Sequence, residues 1–95
     1  MDKKFLVLIE VEDVLGTCPV HKKGDRILVD EPEVVMSKSD VICTRAFPTL
    51  VTFIKCFSEG IETGLPGVPL LVKCPETAQG PVIFRISKIP RGEAE

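Results

Sequence analysis

The chain has no tryptophan, no tyrosine and a single histidine, and it contains no long uninterrupted apolar run. Each absence excludes something. Single-stranded nucleic acid is held by aromatic platforms set in a cationic groove. Here five phenylalanines are the whole aromatic complement, and 12 basic residues against 14 acidic ones give a net charge of -2, with no block of either sign. Nucleic acid is therefore not an expected partner. A membrane is not expected either, because the apolar stretch behind "MDKK" stops at Glu10, well short of the ~20 residues a spanning helix needs. No small-residue cleavage site follows that stretch, so the expected location is cytoplasmic, where cysteines stay reduced. With one histidine there is no Ser/His/Asp set to assemble, and phosphate-cradling glycine loops are missing too.

What is present suits one compact unit. At 95 residues and 44% apolar content, the chain is a single domain over 1–95 with a core of its own. Phe5, Val7, Ile9 and Val11 alternate with a second set that turns polar at Glu10 and Glu12, which predicts a strand over residues 3–14, half-buried at its far end. Gly16 and Pro19 break it, Gly24 permits a turn, and "RILVDE" at 26–31 pairs back as the second arm of a hairpin until Pro32 stops it. In the middle segment Ser39 or Asp40 is the expected N-cap and Gly60 the C-terminal stop. Pro48 would cost about 3 kcal/mol inside a helix but fits the first helical position, which predicts a turn over 41–46 and a helix over 48–58. Its stripe, Leu50, Phe53, Ile54 and Phe57, faces the sheet. The glycine- and proline-rich residues 60–69 are expected to form a surface loop or a mobile lid, and strands follow at 70–74 and 82–88. The expected fold is α+β: a small four-stranded, mainly antiparallel sheet of two hairpins in ββαββ order, with one principal helix packed on it. Its open strand edges suit a homodimer.

A short pattern occurs twice. Cys18-Pro19, Gly24 and Ile27 are matched by Cys74-Pro75, Gly80 and Ile83 at one constant offset. Read as an internal repeat, this makes two equivalent hairpins related by a pseudo-two-fold axis, with both Cys-Pro corners at the same edge of the sheet. Cys43 would lie in the first turn after Asp40, where a helix N-terminus favours a thiolate, and His21 stands three residues past Cys18. Cys18, Cys43, Cys74 and His21 are thus a candidate Cys3His set for a thiolate-bound metal such as zinc, or a redox thiol site. Against this stands the spacing: structural zinc sites usually show two close pairs, and only Cys18 to His21 has that form. The competing reading makes each cysteine a small buried hydrophobe, the commoner fate of a free thiol. Cys56, beside the helical stripe, is read as structural. His21, next to Lys22 and Lys23, is read by default as a solvated histidine.

The stretches "GTCPVHKKGD", "ICTRAFPTL" and "VKCPETAQGPVIFRI" together resemble the markers of a small family of prokaryotic proteins of about this length, many from anaerobes. The resemblance covers most of the chain and implies a cysteine in each stretch, at Cys18, Cys43 and Cys74. Tryptophans that the family carries around the position of Ala46 and in the loop after the helix are missing here. The family brings no assigned activity. The functional expectation is a small, soluble, non-catalytic accessory or interaction protein, whose partner is a protein or a small ligand. The alternative is a thiol-based metal-binding or redox protein using Cys18, Cys43 and Cys74.

Overall fold

The computed structural model describes residues 5–16, 20–44, 46–61, 70–73 and 81–90. They form β1 (Phe5–Val14), β2 (Arg26–Asp30), β3 (Glu33–Val34), a 3-10 turn (Met36–Lys38), α1 (Phe47–Ser58), β4 (Leu70–Lys73) and β5 (Val82–Pro90). The architecture is α+β, with one helix on an antiparallel sheet of order β3-β2-β1-β5-β4. The sheet has five strands among the described residues where the sequence predicts four. The extra one, β3, is two residues folded back on β2 through a turn containing the cis Glu31–Pro32 bond. A two-residue strand has no periodicity to betray it.

The centre of the sheet is β1 against β5, in register from Phe5 opposite Pro90 to Val14 opposite Val82. A bulge interrupts the pairing between Val11 and Asp13. Glu12 is the extra residue, and it resets the alternation: Val7, Ile9 and Val11 face the core before it, and Val14 packs against the core after it. Ile27 and Val29 of β2, and Val82, Phe84 and Ile86 of β5, complete the inner face. The helix lies over β1 and β5, burying Leu50, Ile54 and Phe57 at the predicted spacing, with Phe53 half-buried at their flank.

Pro48 sits in the first turn of α1, as its missing N–H requires, but the cap differs from expectation. The N-cap is Ala46, without a side-chain bond. Ser39 and Asp40 serve the edge of β2 instead. The Ser39 hydroxyl accepts from Leu28 N at 2.9 Å and donates to Val35 O at 2.7 Å, and the Asp40 carboxylate accepts from Arg26 N at 2.9 Å. Val35 N and Asp40 N donate back to Leu28 O and Arg26 O. Residues 35–40 thus satisfy an edge that would otherwise stay open.

The repeat does not have the predicted symmetry. In the observed order β1 corresponds to β4 and β2 to β5, with directions preserved, so the hairpins are related by a shift across the sheet and not by a pseudo-two-fold axis. Their faces differ as well: Ile27 points into the core, whereas Ile83, next to the core-facing Val82 and Phe84, points out.

Two glycines hold left-handed conformations. Gly24 (φ +95°) sits third in the turn 22–25, closed by Asp25 N donating to Lys22 O at 3.0 Å. Gly60 (φ +88°) ends α1: Ile61 N donates to Cys56 O and Gly60 N to Phe57 O, both at 3.0 Å. A Cβ on Gly24 would meet nothing within 4 Å, whereas one on Gly60 would lie 2.9 Å from Phe5 Cε2. That ring is itself held under the Lys88 ammonium, 4.7 Å from its centroid, while Lys88 Nζ donates to Gly60 O at 3.2 Å. Gly24→Ala should therefore carry only the left-handed penalty of about 1–2 kcal/mol, roughly 4–15 °C in thermal midpoint for a domain this size. Gly60→Ala should lose clearly more. Equal midpoints in a melting comparison would mean that the contact with Phe5 constrains nothing.

Candidate functional site

The described strands on either side of the Cys18 and Cys74 positions end at one end of the sheet, even though the repeat symmetry behind that expectation fails. Val14 pairs with Val82, Lys73 with Ile83, and Leu15 N donates to Pro81 O at 3.0 Å, so the strands bordering the two Cys-Pro segments end side by side. Cys18 and Cys74 themselves lie outside the described residues. Among the described residues no group of three or more His, Cys, Asp or Glu side chains is arranged to hold a metal ion.

Cys43 and Cys56 are free, half-buried thiols packed against the core. For Cys56 this matches its place beside the helical stripe. Cys43 does not lie in a helical first turn: α1 begins at Phe47, whose N–H donates to Cys43 O at 3.0 Å. The helix-terminus argument for a thiolate at Cys43 therefore falls.

His21 departs furthest from expectation. It is 4% exposed, not solvated. Its ring stands edge-on to Phe84, centroids 5.2 Å apart at 88°, beside Ile9, Val11, Ile27 and Val41. The turn that places it there is built around Asp25, also buried. Asp25 Oδ2 accepts from Lys22 N at 3.1 Å, and Val11 N donates to Asp25 O at 2.7 Å, tying the turn to β1. The ion pair of Lys22 Nζ with Asp25 Oδ1, 3.2 Å, adds little because the lysine is solvated. Burial pushes the imidazole pKa below its ordinary 6.5, and the nearby Asp25 carboxylate offsets part of that. A neutral ring packed on a phenylalanine edge is a core residue.

The face of the sheet turned away from α1 shows what the sequence reading missed. Glu12, displaced by the bulge, reaches Arg85: Nε lies 3.0 Å from Oε1 as an ion-pair contact, and Nη2 donates to Oε2 at 3.2 Å. Glu10 stands in register between Arg26 and Arg85. A cleft of about 300 Å³ opens between these charges and the Lys23–Gly24 turn. Beside them are aliphatic side chains. Leu8 lies between Leu28 and Ser87, Ile83 and Ile89 are half-buried, and Leu71 is 51% exposed. The sequence signal for this face is the second, non-core set of β1, apolar at Leu6 and Leu8 before it turns charged.

The sign of the His21 shift gives a test. A native ring that resists protonation means that the unfolded chain binds the proton first, so stability is complete above pH 6.5 and is lost as the pH falls from there through the lowered native value. Urea unfolding on the two sides of pH 6.5 should show that loss, and His21→Gln should flatten it. Parallel profiles for the two proteins would rule out a buried neutral histidine. No protein-family model, curated protein or solved structure matches the chain.

Proposed function

We propose that the protein is a non-catalytic interaction domain that docks through the face of its sheet turned away from α1. The observation that carries this is the composition of that face. An antiparallel sheet with one solvated side normally alternates apolar-in and polar-out. Here the outward set includes Leu8, Leu71, Ile83 and Ile89, of which Leu71 is 51% exposed and the other three half-buried, while Leu6 and Leu28 on the same side are buried. Apolar side chains gathered on a surface and bordered by charges are the usual mark of an interaction site. The groups that chemistry would call on are otherwise engaged: Arg85 and Glu12 bind each other, and His21 is buried against Phe84.

The convergence of the strands bordering Cys18 and Cys74 favours a second reading, a thiol-based metal-binding or redox site with Cys43 as the third sulfur. Elemental analysis and thiol counting on anaerobically purified, native protein separate the two. The interaction reading expects no stoichiometric metal and thiols that react slowly until the chain is unfolded. One metal per chain, or one fast thiol, would replace it with the second.

A further inference from the structure

We draw no further inference here: the strongest candidate, the cleft of about 300 Å³ between Glu10, Glu12, Arg85 and the Lys23–Gly24 turn, belongs to the sheet face already described, and with Arg85 and Glu12 bound to each other nothing in the structure shows what would occupy it.

Discussion

The pairing of β1 with β5 is the constraint on which the rest of the molecule depends. These two strands are far apart in sequence, and nine residues of each side are brought into register to form the middle of the sheet. The helix has its floor on them, β2 and β4 are added outside them, and Val7, Ile9, Val11, Phe84 and Ile86 supply the inner face on which α1 rests. The entropy of closing that long loop must be met before the core rewards it. The helix, whose N-cap Ala46 makes no side-chain bond and whose stripe is modest, depends on this floor more than on its own propensity.

Period-two alternation made β1 and β5 legible, and a four-residue stripe with Pro48 and Gly60 at its ends made α1 legible, because these signals are local. What could not be read depends on distant residues. Ser39 and Asp40 have the chemistry of helix caps, and only the proximity of β2 turns them into edge satisfiers. The bulge at Glu12 has no composition of its own. Its trace is the spacing from Val11 to Val14, which means little until Phe84 and Val82 are known to be their partners. Residues Ile27 and Ile83 match in the repeated pattern and face opposite sides, because matching letters carry no information about pairing parity.

The same distinction governs the candidate site. His21 stands beside two lysines and looks solvated, yet the Asp25-centred turn brings it onto Phe84, a contact between the two halves of the chain. Of the cysteines, Cys56 followed from helical geometry alone, whereas the environment of Cys43 changed once the helix was seen to start at Phe47. The outer face is not legible in the sequence because the period-two signal marks the core-facing side of a strand and leaves the other side undefined. The leucines at positions 6 and 8 were visible as letters, but their meeting with Leu28, Ser87 and Ile89 required the register.

The register also has a mechanical side. Phe5 is opposite Pro90, and the far ends of the same strands, Val14 and Val82, are opposite each other as well. A pull that separates Phe5 from Pro90 therefore loads the β1 and β5 ladder at one end, one rung after another, as a zipper is opened, and never in shear along its length. The two strands most important to the fold are held by a ladder that shares load across all rungs under thermal agitation and across a single rung under tension.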